Sequence, residues 1–77
     1  MDIRNLKEKK MLSIVVPVYN EQPNIEKFYE ETTKVMKHLD MEYEVIFVDD
    51  GSKDQTPLLL SRLTQQDSHI RALILAR

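Results

Sequence analysis

The sequence predicts an α/β fold, a three-stranded parallel βαβαβ sheet. Three observations predict it. Short apolar runs of strand length alternate with segments of helical period. Each segment between runs holds a helix of ten or more residues, long enough to return the chain and let successive strands run parallel. Turn-forming residues punctuate the junctions. Right-handed crossovers then set the strands side by side in the spatial order 3-2-1.

Each element has its own justification. Leu12 to Val18 is apolar and rich in β-branched residues, suited to a strand buried on both faces. Tyr19-Asn20-Glu21-Gln22 interrupts it, and Pro23 stands where a first helical residue belongs. Ile25, Phe28, Thr32, Val35, Met36 and Leu39 then recur at steps of three and four, the apolar stripe of a helix. Glu26, Lys27, Glu30, Glu31, Lys34 and Lys37 take the other side, with Glu30 and Lys34 paired one turn apart. Asp40 and Met41 make a turn, and Tyr43 to Val48 is the second strand. Asp49-Asp50-Gly51-Ser52 ends it with turn-forming residues. Thr56 is expected to cap a second helix with Pro57 at its first position and Leu59, Leu60 and Leu63 as its stripe. Asp67-Ser68 closes that helix, and Ile70 to Leu75 is the third strand.

Composition bounds what such a chain can do. Seventy-seven residues form at most one small domain, which buries only about 60% of the surface its unfolded chain exposes. The absence of cysteine removes a disulfide framework and any thiolate zinc site. No apolar run approaches the roughly 20 residues that span a bilayer, and no signal-peptide pattern is present. A net charge of −2 offers no general attraction to nucleic acid. A single glycine excludes the glycine-rich phosphate loops. Residues 1–10 read as a charged leader, since Arg4, Lys7, Lys9 and Lys10 outnumber Asp2 and Glu8. Residues 11–77 carry the domain. His38 and His69 read as surface histidines, Met36 as core filling, and no histidine stands ready to activate a nucleophile.

The topology brings two loops together. Open α/β sheets bind ligands in the crevice beyond the carboxyl ends of their strands. The loops emerging there are Pro17-Val18-Tyr19-Asn20-Glu21 and Val48-Asp49-Asp50-Gly51-Ser52, about thirty residues apart in sequence. Taken alone, Asp49-Asp50-Gly51 could be a strand-ending turn, and Asn20 could be either a turn-maker or a ligand contact. An acidic pair is also the mark of receiver-like domains, but there it follows the first strand, which here ends in Tyr-Asn-Glu.

The pair Val15-Val16-Pro17-Val18-Tyr19-Asn20-Glu21 and Val48-Asp49-Asp50-Gly51-Ser52, followed by Asp54 and Thr56, resembles the amino-terminal half of inverting family-2 glycosyltransferases. The resemblance covers essentially all of residues 11–77. Its nearer likeness is to the branch acting on polyprenyl-phosphate acceptors, including dolichol-phosphate mannosyltransferases and bactoprenol glucosyltransferases. It implies the first half of a Rossmann-like GT-A domain and a donor that is a UDP- or GDP-linked sugar, with a hexose passed to a lipid phosphate. It also implies a nucleotide-sugar site made by Pro17, Tyr19, Glu21, Val48 and Asp50, with Asn20, Asp49, Gly51 and Ser52 as the supporting loop.

These residue types suit those roles. An ionised carboxylate such as Asp50 accepts the N–H donors of a nucleobase strongly. Tyr19 offers a flat face for base or ribose. Pro17 and Val48 shape the pocket through their backbones, Glu21 can accept from ribose hydroxyls, and Gly51 lets the chain turn without a Cβ against the ligand. Asp49 reads as structural.

The family's metal-binding Asp-x-Asp and catalytic base belong to later segments. No catalytic or metal-ligating residue is therefore expected in this chain, and a magnesium or manganese ion is expected only in a full-length enzyme. The chain reads as a fragment that transfers no sugar by itself. It is placed in the cytoplasm, with the full-length form at the cytoplasmic face of the membrane. The unpaired edge of the first strand invites self-association. The alternative readings are a non-catalytic nucleotide-binding module and an inert remnant; no contact with nucleic acid is expected.

Overall fold

A computed structural model of the chain describes residues 11–39 and 41–76. The charged leader expected over residues 1–10 and the turn residue Asp40 lie outside the described residues. The elements are β1 (Met11–Val18), α1 (Gln22–Lys37), β2 (Glu42–Asp49), α2 (Thr56–Gln66) and β3 (Ile70–Ile74). Both strand pairs are parallel, with β2 in the middle, which is the βαβαβ order read from the pattern.

Two right-handed crossovers that step the same way across a sheet put both helices on one face. The core confirms that placement. Ile25 from α1 and Leu60 and Leu63 from α2 pack on Val18, Val45, Phe47 and Ile70. Phe47, 1% exposed, sits at its centre, and the ring of Phe28 meets it edge-on at 5.9 Å. Burying a side chain of this kind contributes about 1.5–3 kcal/mol.

The opposite face of the sheet is bare, which corrects the expectation that the first strand is buried on both sides. Val15 is 60% exposed and Leu73 54%. They share this face with Ser13, Pro17, Glu44, Ile46, Val48 and Arg71 by strand alternation. One end of it is polar: Ser13 Oγ donates to Glu44 Oε2 at 2.6 Å, and Arg71 Nε lies 3.2 Å from Glu44 Oε1.

The first helical stripe also needs correction. Ile25 and Met36 are buried, whereas Phe28, Val35 and Leu39 are exposed. β1 is an edge strand with no neighbour on its outer side, and part of this stripe stays uncovered. Phe28, Thr32, Val35 and Met36 line a groove there with Ile14.

The second helix begins one residue earlier than expected, at the residue read as its cap. Thr56 is its first residue and Pro57 its second, and the residue before the helix, Gln55, makes no side-chain cap bond. Asp54 supplies that function instead, its Oδ1 accepting the Thr56 N–H at 2.9 Å. The other helix likewise starts at Gln22, with Pro23 second.

Candidate functional site

Strand register brings the two loops together. Val18 pairs with Asp49, and the ladder continues one step further, with the Asp50 N–H donating to the Val18 carbonyl at 3.1 Å. Tyr19 and Asp50 therefore leave neighbouring strands at the same rim, at the carboxyl ends. Both are exposed, Glu21 and Val48 are half-buried, and Pro17 is exposed. In a parallel ladder each residue turns its N–H and carbonyl to one side. With Val18 facing β2, the nitrogen of Pro17 faces the free edge, where a missing N–H costs no hydrogen bond.

Four contacts stitch one loop to the other. The Asn20 N–H donates to Ser52 Oγ at 2.7 Å, and Asn20 Oδ1 accepts the Lys53 N–H at 2.8 Å. The Gln55 N–H donates to Gln22 Oε1 at 3.1 Å, and the Gln22 N–H points to Asp54 Oδ2 at 3.4 Å. Asn20 adopts φ 50° and Gly51 φ 79°. Gly51 takes the left-handed region without steric cost, and asparagine is among the few other residues that tolerate it.

Beneath the loops lies Asp49, a carboxylate with 0% exposure. Its Oδ1 accepts the Ser52 hydroxyl and its Oδ2 the Ser52 N–H at 3.3 Å. The Asp49 carbonyl continues the ladder on the other side by accepting the Leu75 N–H at 2.9 Å. A buried carboxyl without partners would be costly, and Ser52 supplies a donor to each Asp49 oxygen, one from its backbone and one from its hydroxyl.

Two further polar groups shape this rim. Hydrogen bonding from Thr56, whose N–H donates at 2.9 Å, outweighs burial and, with the Gln22 N–H, holds the Asp54 carboxyl below its ordinary range. On the β1 side Asn24 Nδ2 donates to Glu21 Oε2 at 3.0 Å. Beside Glu21 a groove of about 210 Å³ runs between β1 and α1, lined by Val16, Pro17, Val18, Glu21, Asn24, Ile25 and Phe28. No group of three or more metal-ligating side chains occurs among the described residues. Asp49 and Asp50 do not make such a site, because Asp49 is turned inward onto Ser52.

The sequence reading did not include Gln22 and Gln55 in this network; glutamines in a loop carry no pattern that marks a partner thirty-three residues away. A second cluster at the opposite end of the sheet also went unread. Tyr29 Oη donates to Asp67 Oδ2 at 2.8 Å, and His69 Nδ1 lies 2.7 Å from Asp67 Oδ1. The His69 ring stacks on Tyr43 at 4.1 Å. His69 is at the surface, as expected, but it is partnered there.

An open parallel α/β sheet whose polar crevice opens beyond its strand ends defines a class of ligand-binding domain. Within that class the chain belongs to glycosyl transferase family 2, whose sequence profile matches residues 13–77. It is 48% identical over 69 residues to the undecaprenyl-phosphate 4-deoxy-4-formamido-L-arabinose transferases of Yersinia pestis (strain Pestoides F) and Yersinia pseudotuberculosis serotype O:3. The match covers 88% of this chain and 21% of each relative, so the chain spans about a fifth of the length of these curated relatives.

Proposed function

We propose that this chain forms the nucleotide-recognising part of a glycosyltransferase that passes an activated sugar to a polyprenyl phosphate. The observation that carries the reading is the juxtaposition of Tyr19 and Asp50 at one rim, on loops tied by four hydrogen bonds. Family membership supports it, as do relatives whose names specify an undecaprenyl-phosphate acceptor.

In this reading Asp50 accepts N–H donors from the base, since an ionised acceptor makes a shorter and stronger bond than a neutral one. Tyr19 stacks its exposed ring on the base or ribose. Glu21 accepts from the ribose hydroxyls, while Pro17 and Val48 bound the slot through the backbone. The donor is a UDP- or GDP-linked sugar. A divalent cation and the acceptor-activating base belong to other parts of the longer enzyme, and no step of transfer is assigned to residues 11–77. The isolated chain therefore binds without turning over. We place the enzyme at the cytoplasmic face of the membrane; among the described residues no helix is long and apolar enough to cross one.

Isothermal titration of UDP and of GDP into the 77-residue chain, beside an Asp50→Ala control, tests the proposal. Saturable binding of one nucleotide, weakened at least tenfold by the substitution, is the expected result. Equal heats for both proteins would refute it.

A further inference from the structure

Asn20 occupies an unusual position for a residue between a strand and a helix. Its backbone is left-handed, its N–H goes to Ser52 Oγ, and its side chain returns to the Lys53 N–H. Ser52 passes the connection inward to Asp49, which is fully buried. The chain Lys53–Asn20–Ser52–Asp49 thus runs from the outer loop to the core, and it straddles both residues assigned to the nucleotide. Tyr19 immediately precedes Asn20, and Asp50 lies between Asp49 and Ser52 in sequence.

We infer that Asn20 and Ser52 are positioning residues: together they form a clamp that fixes the spacing between Tyr19 and Asp50, and so sets nucleotide affinity without touching the nucleotide. The inference rests on the nucleotide reading above, and adds to it the part that makes two loops one site. The physical reason is preorganisation. Loops ordered before binding do not lose their freedom at the moment of binding, and the retained free energy appears as affinity. The two clamp residues divide the task. Asn20 combines tolerance of positive φ with an acceptor oxygen. Ser52 combines an acceptor for the Asn20 N–H with a donor for Asp49.

That division makes the substitutions informative. Asn20→Gly keeps access to the left-handed region and removes the whole side chain, the acceptor oxygen included. Asn20→Asp keeps both the oxygen and tolerance of the left-handed region. Ser52→Ala removes the hydroxyl, and Ser52→Thr retains it.

The experiment titrates UDP and GDP into the 77-residue chain and these four variants, with amide chemical shifts and hydrogen exchange recorded before ligand is added. Asn20→Gly and Ser52→Ala are expected to weaken binding about tenfold while keeping the native set of core amide shifts. Asn20→Asp and Ser52→Thr are expected to bind within about twofold of the parent. Before any ligand is added, Asn20→Gly should speed exchange at Lys53 and shift the Tyr19 and Asp50 amides. Parent-like affinity in Asn20→Gly and Ser52→Ala, with Asp50→Ala still defective, would overturn the clamp and leave the nucleotide reading standing. If the parent binds neither nucleotide, the nucleotide reading falls and the affinity role of the clamp with it. The ligand-free shifts then show separately whether Asn20 sets the loop spacing; unchanged Tyr19 and Asp50 amides would remove that too.

Discussion

The backbone N–H of Asn20 donates to the hydroxyl of Ser52 at 2.7 Å, closing a contact across 32 residues of sequence. Parallel pairing of β1 and β2 makes that contact available, because it delivers both strand ends to one rim. Without it the two loops would be neighbours; with it they are tied into one surface.

Asp49 is the deepest support of that surface. Asp49→Ala removes the acceptor of both Ser52 donors and leaves them at a partly buried site. Loss of such a partner costs about 1–3 kcal/mol. Urea denaturation should show a lowered midpoint with an unchanged slope. A midpoint equal to that of the parent would mean that the buried carboxylate contributes nothing to the fold.

The cluster at the far end of the sheet should give stability a pH dependence at both extremes. Burial raises the Asp67 carboxyl, but hydrogen bonds from the His69 N–H and the Tyr29 hydroxyl outweigh it and hold the group below its ordinary range. A carboxyl lowered on folding contributes stability that is present above its unfolded value of about 3.9 and is lost as pH falls through the folded value. The Tyr29 phenol is raised by its hydrogen bond to Asp67, then by burial. Its contribution is present below about 10 and is lost as pH rises through the folded value. Tyr29→Phe should cost about 1 kcal/mol at neutral pH. It should also shrink both the acid and the alkaline losses in thermal melts. Some alkaline loss should persist, because burial also raises Tyr43. Parallel pH profiles for the two proteins would contradict this.

Phe47 holds the sheet to the helices. Truncating a buried phenylalanine to alanine costs about 3–5 kcal/mol, a large share of the stability available to a chain of this size. Phe47→Ala should abolish the cooperative thermal transition seen by circular dichroism, while Phe28→Ala, which cuts an exposed ring, should only lower its midpoint. Equal effects would place the core elsewhere.

The uncovered side of the sheet should make the chain self-associate. The backbone groups of Val15 lie on the free edge of β1 and its side chain on the bare face, a combination that invites edge pairing. Sedimentation velocity should show average mass rising with concentration, and Val15→Lys should suppress the rise. A parent protein that stays monomeric throughout would contradict the expectation.

Legibility in the sequence followed the range of the forces involved. Strand order and direction were readable because β-branched runs and helix-length connections restrict the topology to very few solutions. The two motif loops were readable only as a pair, because in order and at the ends of adjacent strands they resemble a family pattern, whereas Asp49-Asp50-Gly51 alone is an ordinary strand-ending turn. The fate of Val15 and Val35 was not, since an apolar side chain looks the same whether or not a partner covers it. The Thr56 cap was misread by one residue because Asp54 offers a competing acceptor two positions earlier. Gln22, Gln55 and the Tyr29–Asp67–His69 cluster depend on contacts between distant segments. No local pattern announces those.

The most direct measurement is a nuclear Overhauser experiment on the 77-residue chain with UDP and with GDP. For the nucleotide that binds, the account expects cross-peaks between its base protons and the Tyr19 ring, together with a shifted Asp50 amide in the same complex. A bound nucleotide whose base protons approach neither loop, or only one of them, would contradict the claim that Tyr19 and Asp50 form a single site.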